Sequence, residues 1–190
     1  MNATITSTAH YVPEKVLTNS DLEKLVDTSD EWIKSRVGIN QRHVVSDGEA
    51  SSDMSTKVAH SLLEKRGISA ANIDVIIIGT VTPDHPTPST AAIVQNNINA
   101  ENAWAFDLSA ACSGFLYALE TGAKFIESGQ YKTIMVIGVD TMTSILDFED
   151  RDTCIIFGDG AGGVILEASK SNTGILGSVL KTDGSGAESL

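Results

Sequence analysis

Two stretches of the chain are apolar at consecutive positions, mostly β-branched, and too short for helices: Asp74-Val-Ile-Ile-Ile-Gly-Thr80 and Thr133-Ile-Met-Val-Ile-Gly-Val139. A continuous rather than alternating run marks a strand covered on both faces. Ala103-Trp-Ala-Phe-Asp-Leu108 is a weaker third candidate, and Cys154-Ile-Ile-Phe157, Gly163-Val-Ile-Leu166 and residues 174–180 read as further strands joined by Gly-rich turns. Helical spacing alternates with these strands. Residues 52–66 repeat Met54, Val58 and Leu62 and stop at Gly67, a residue suited to a helix C-terminus. Residues 89–98 follow the loop Pro83-Asp-His-Pro-Thr-Pro88, and the longest helix, 112–128, aligns Phe115, Leu116, Leu119, Ala123 and Ile126 before Gly129. Two shorter helices are expected at 20–26 and 29–37, with Thr28 and Glu31 spaced as a capping box for the second. The alternation predicts an α/β fold with a mixed, mostly parallel sheet covered by helices. Residues 1–180 read as one domain. Residues 181–190, rich in Gly and Ser, read as the start of a connection to a segment that is absent.

Composition narrows the function classes. The 190 residues are 42% hydrophobic and 20% charged, which excludes a disordered tail, a collagen-like fibre and a coiled coil. A net charge of −12 repels a phosphate backbone, so nucleic acid is excluded as a general partner. Cys112 and Cys154 are too few for a disulfide scaffold. The N-terminus lacks the basic-then-apolar layout of a signal peptide, and no apolar run approaches the roughly 20 residues of a membrane helix. A cytoplasmic protein with no membrane contact is expected.

Three segments carry candidate chemistry. In Ser109-Ala-Ala-Cys-Ser-Gly-Phe115 a strand ends, small residues make a tight passage, and Cys112 opens the longest helix. Free amides and the helix dipole favour an anion there, which suits a thiolate nucleophile. A small buried residue at a crowded turn is the competing reading. Cys154, inside an apolar run, reads as structural. Phe157-Gly-Asp-Gly-Ala-Gly-Gly163 satisfies G-x-G-x-x-G at Gly158, Gly160 and Gly163. It leads into a strand-like segment instead of a helix, so a tight turn between strands is expected rather than a dinucleotide site. Trp32 and Arg36, four apart on one helical face, either hold a base and a phosphate or form a half-buried Trp beside a solvated Arg. Asp84 and His85 do not make a metal site, and none is assigned.

Taken in order, Thr28-Ser-Asp-Glu-Trp, Arg36-Val-Gly-Ile, Ala110-Ala-Cys-Ser-Gly-Phe115 and Phe157-Gly-Asp-Gly-Ala-Gly162 resemble β-ketoacyl-acyl carrier protein synthase III along essentially the whole chain. The resemblance implies the N-terminal half of a thiolase-like fold of two similar α/β halves, working as a homodimer. It implies that Cys112 takes an acyl group from acyl-CoA and passes it to a malonyl-acyl carrier protein carbanion, with the CoA thioester as substrate and no separate cofactor. By the same resemblance Trp32 stacks on the CoA adenine with Arg151 opposite and Thr28 and Arg36 beside it. The loop at Thr87 shapes the acyl pocket of the neighbouring subunit, a small residue there leaving room for branched primers. The family's catalytic histidine and asparagine match none of His10, His43, His60 and His85 nor any other position here, so a missing C-terminal half or a second chain is expected to supply them. The rival expectation is a non-catalytic CoA-binding or dimerisation module. Apolar residues at Val164, Ile165, Leu166, Ile175 and Leu176 favour a half with a docking face over such a module.

Overall fold

The computed structural model describes residues 2–169, 171 and 173–189. Its strands are β1 (Asn2–Tyr11), β2 (Lys15–Thr18), β3 (Gln41–Val44), β4 (Val75–Gly79), β5 (Trp104–Leu108), β6 (Thr133–Thr141) and β7 (Asp159–Ser169). Its helices are α1 (Asn19–Leu22), α2 (Asp30–Val37), α3 (Ser51–Arg66), α4 (Thr90–Asn97) and α5 (Gly114–Glu127). Five strands form one sheet in the order β1-β7-β6-β4-β5, while β2 and β3 make a separate antiparallel pair. β4 runs parallel to β5 and β6, and β7 is antiparallel to both β6 and β1. Only β7 is reversed, so the sheet is mixed and mostly parallel as expected.

The apolar run of β4 is continuous because both of its faces are covered. Ile76 and Ile78 point into a layer built from Met54, Val58 and Leu62 of α3 with Ala91 and Val94 of α4. Val75 and Ile77 point the other way, onto Ala118, Ala123 and Ile126 of α5. All of these side chains are buried, and each Val, Leu, Ile or Met among them contributes about 1.5–3 kcal/mol on removal from water. A third, smaller core joins Leu22, Ile33, Cys154 and Ile155.

Several sequence expectations change here. The 154–157 segment is a series of turns, not a strand, because its apolar residues pack against α1 and α2 instead of entering the sheet. Residues 174–180 form no strand, although the Ile175 amide donates to Ala3 O at 2.8 Å. Val164, Ile165 and Leu166 are core residues of β7, not part of a free face, whereas Leu176 is exposed. The capping of α2 is shifted by one position: Ser29, not Thr28, is the N-cap, its Oγ accepting from the Trp32 amide at 3.1 Å.

Loops around the sheet are held by buried carboxylates. Asp159 accepts from the Val45 amide at 2.8 Å, the Thr143 amide at 2.9 Å and Thr143 Oγ1 at 2.5 Å. Asp159→Ala would strand those donors, and we expect a loss of about 3 kcal/mol in urea unfolding. An unchanged midpoint would show that water replaces the carboxylate without cost. Asp84 accepts from the Ser52 amide and hydroxyl at the start of α3, so its role is structural and His85 beside it is exposed.

Candidate active site

Cys112 stands in a single 3₁₀ turn, Ala111–Ser113, between the carboxyl end of β5 and the first residue of α5. It thus lies just before the long helix, which begins at Gly114, two residues later than expected. The residue is exposed, which removes the reading of Cys112 as a small core residue. Cys154 is buried, and that burial pushes its thiol pKa up, away from reactivity.

Absent side chains place Cys112 over the sheet. A Cβ on Gly79 would sit 2.7 Å from Gly114 C and 2.9 Å from Gly114 O, and one on Gly138 would sit 3.0 Å from Phe115 Cβ. The first turn of α5 therefore rests directly on the backbone at the carboxyl ends of β4 and β6, the end of an open α/β sheet where ligands bind. Ala111 has φ of +46°, a left-handed conformation that costs an alanine about 1–3 kcal/mol and aims the next residue away from the strand. Hydroxyls of Thr18, Ser29 and Ser89 cap α1, α2 and α4, but no side chain caps α5. The Gly114 amide donates to Ala111 O, and the positive end of the α5 dipole faces the turn that holds Cys112.

Cys112 opens onto a cavity of about 470 Å³ whose walls include Phe115, Gly79, Gly138 and Asp140. Gly160, Gly162 and Gly163 form its floor. The glycine motif is thus not the tight turn expected from the sequence: β7 begins at Asp159, and Gly160, Gly162 and Gly163 lie within the strand, with Gly158 just before it. At Gly163 a Cβ would stand 2.9 Å from Ile137 Cγ1 and 2.9 Å from Val136 O, so the bare backbone is needed for packing as well as for the cavity. No helix follows, and the dinucleotide reading fails on structure as on sequence. Asp140 fixes the wall: its Oδ1 accepts from Thr80 Oγ1 (3.0 Å), Val81 N (2.8 Å), Thr82 N (3.1 Å) and Thr82 Oγ1 (2.9 Å).

A second site gathers residues distant in sequence. The Arg151 guanidinium carbon lies 4.6 Å from the centre of the Trp32 ring, and that of Arg36 lies 5.9 Å from it. Thr28, Ser29, Trp32 and Arg151 line a depression of about 230 Å³. Thr28 Oγ1 and Arg151 Nε are both buried without a hydrogen-bond partner. Two unsatisfied polar atoms beside one aromatic ring, each costing about 1–3 kcal/mol, point to a polar ligand. Thr87 is exposed in the loop before α4 and lines neither cavity. Among the described residues no cluster of metal-ligating side chains occurs, and no helix is long and apolar enough to cross a membrane.

Sequence reasoning missed Gly79, Gly138, Phe115 and Asp140 as parts of the site. A signal was present, since both apolar runs carry an Ile-Gly pair, Ile78-Gly79 and Ile137-Gly138.

A mixed sheet between helical layers, with an exposed cysteine at the mouth of the central helix, is a thiolase-like half-fold. The solved 3-oxoacyl-[acyl-carrier-protein] synthase III of Thermus thermophilus superposes with a TM-score of 0.93 at 39% identity, covering 97% of this chain and 57% of that one. That of Aquifex aeolicus gives 0.87 at 46% identity, covering 90% and 55%. Residues 106–184 match the family model of 3-oxoacyl-[acyl-carrier-protein (ACP)] synthase III. Among relatives, β-ketoacyl-[acyl-carrier-protein] synthase III of Chlorobaculum tepidum is 60% identical over 186 residues, 97% of this chain and 56% of its own length. The Streptococcus sanguinis protein is 55% identical over 188 residues, 99% and 57%. The chain spans about half the length of the curated relatives it matches. It corresponds to the N-terminal region of β-ketoacyl-[acyl-carrier-protein] synthase III.

Proposed function

We propose that this chain carries the acyl-loading half of a β-ketoacyl-acyl carrier protein synthase III, in which Cys112 accepts an acyl group from acyl-CoA. The observation that carries the reading is the exposed Cys112 in front of an uncapped α5, over a cavity cleared by glycines. In the loading step the Cys112 sulfur, as thiolate, attacks the thioester carbonyl. A carbon–sulfur bond forms to Cys112, negative charge develops on the carbonyl oxygen near the positive end of the α5 dipole, and the bond to the CoA sulfur breaks. CoA leaves as a thiolate and takes up the proton that Cys112 released.

In the following condensation, malonyl-acyl carrier protein loses carbon dioxide and its carbanion attacks the acyl–Cys112 carbonyl. A carbon–carbon bond replaces the carbon–sulfur bond and regenerates the Cys112 thiolate. The resemblance gives the groups for this step to a histidine and an asparagine that these 190 residues do not match. Loading alone is therefore proposed for the chain by itself. A second α/β half would dock where Leu116, Leu176 and Val179 are exposed. Among the described residues β5 has one neighbour in the sheet, and its open edge supports pairing with a second copy. Thr87, exposed in its loop, would then face the acyl pocket of that copy.

Incubation with a short acyl-CoA followed by intact-mass measurement and peptide mapping tests the proposal. One acyl group on the peptide holding Cys112 is expected. CoA binding without any acyl adduct would favour the non-catalytic module instead.

At the second site, Trp32, Arg151, Arg36 and Thr28 are proposed to hold the nucleotide end of CoA, with Arg151, which lies 4.6 Å from the centre of the Trp32 ring, shifting off that ring to admit the adenine. Trp32→Ala should weaken CoA binding by roughly 1–3 kcal/mol in calorimetric titration. An unchanged affinity would remove Trp32 from the site.

A further inference from the structure

Arg42 is a charged residue on β3 that is only 4% exposed, and the loading chemistry does not use it. Its contacts all lead toward the nucleotide site. Nε and Nη2 donate to Ile155 O at 3.1 and 2.5 Å, holding the loop that carries Arg151. Nη1 donates to Asn19 Oδ1 at 2.7 Å. Asn19 is 1% exposed and passes the connection on, its Nδ2 donating to Asp30 Oδ1 and to Ile39 O, each at 2.9 Å. Asp30 opens α2, the helix that presents Trp32 and Arg36. An unbroken chain of hydrogen bonds thus runs from the Arg151 loop through Arg42 to the Trp32 helix.

Residues 142–158 contribute no strand to the sheet: Asp159 holds the start of the segment at Thr143, and its end is secured by Arg42 and by Cys154 and Ile155 packing on Leu22 and Ile33. The backbone passes so close to β3 at Gly158 that a Cβ there would lie 3.0 Å from Arg42 Cβ and 3.0 Å from His43 O. Burying a guanidinium is costly, and here its charge is spent on one carbonyl, one amide oxygen and no carboxylate. A buried apolar side chain would stabilise a plain core at lower cost. The planar fork instead sets distance and angle between two segments.

We propose that Arg42 is a positioning residue for nucleotide recognition: it holds the loop that carries Arg151 beside the helix that carries Trp32 and thereby sets the affinity for the nucleotide portion of acyl-CoA without taking part in acyl transfer. The inference rests on the proposed loading function and adds a determinant outside both cavities.

The test compares two acyl donors, a short acyl-CoA and the same acyl group on pantetheine, which lacks the nucleotide. Loading of Cys112 is followed by intact mass for wild type, Arg42→Met and Arg42→Lys. For Arg42→Met the half-saturating acyl-CoA concentration should rise about tenfold, while the maximal loading rate and the acyl-pantetheine rate stay at wild-type values. Arg42→Lys, which keeps the charge and loses the fork, should show a smaller rise of the same kind, and it decides the matter if Arg42→Met does not fold by circular dichroism. Equal losses with both donors would make Arg42 a general structural residue, and no change with either donor would remove it from recognition; both results overturn the proposal. If wild type loads from neither donor, the loading function itself falls, and the role of Arg42 falls with it.

Discussion

Cys112→Ser should abolish acyl loading and leave folding stability within about 1 kcal/mol of wild type. The substitution replaces sulfur with oxygen in a residue that is exposed and packs against no core cluster, so little stability depends on it. Its effect on chemistry is large because a serine hydroxyl at neutral pH is not ionised. No histidine is found among the residues that line the cavity, so none there would serve as its base. Intact mass after exposure to acyl-CoA should show complete conversion for wild type and none for the variant over the same interval. Cys154 provides an internal control, since it is buried and should remain unlabelled in both proteins. An acyl adduct of equal yield in Cys112→Ser, or one mapped to Cys154, would transfer the role elsewhere.

Gly79→Ala should be nearly as damaging to loading, although position 79 has no side chain that could take part in chemistry. The new Cβ would fall 2.7 Å from Gly114 C and 3.0 Å from the Phe115 amide nitrogen, and both are backbone atoms of α5 that cannot swing aside. Overpacking usually costs about 1–3 kcal/mol, and a rigid backbone neighbour puts this variant at or beyond the upper end. Relief requires α5 to lift from β4 and carry Cys112 with it. A displacement near 1 Å in a reacting group lowers rates about a hundredfold. Gly177→Ala is the control, because nothing lies within 4 Å of a Cβ there. Urea unfolding and loading rate measured on both variants would test this, and a Gly79→Ala protein as stable and as fast as wild type would refute the close-contact argument.

Both effects show what the sequence could and could not reveal. β4 and β6 were legible because strands buried on both faces must be apolar at every position. α3 and α5 were legible because each covers one face and repeats at helical spacing. β1 was not, since its buried positions are Ala3, Ser7 and Ala9, too small to mark a strand. Cys154 and Ile155 misled in the opposite sense: they are apolar because a small side core needs them, and apolarity does not say which core. Motifs singled out Cys112 and Trp32, and the resemblance added Arg151, but neither shows that Arg151 lies 4.6 Å from the Trp32 ring. The glycines of β7 were visible yet misassigned. Their purpose is steric and appears only when Ile137 and the cavity are placed beside them.

The pairing of β1 with β7 joins Asn2 to Ser169 and Tyr11 to Ala161. A ribosome adding roughly 5–20 residues per second needs on the order of ten to thirty seconds between making the first strand and making its partner. During that interval β1 has no ladder partner, although α3, on which it also packs, is already made. The small polar residues that hid it from a search for hydrophobic runs suit it to that delay. The strand least conspicuous in the sequence is the one that waits longest for its place, and the sheet is sealed along its outer edge only when synthesis has passed residue 169.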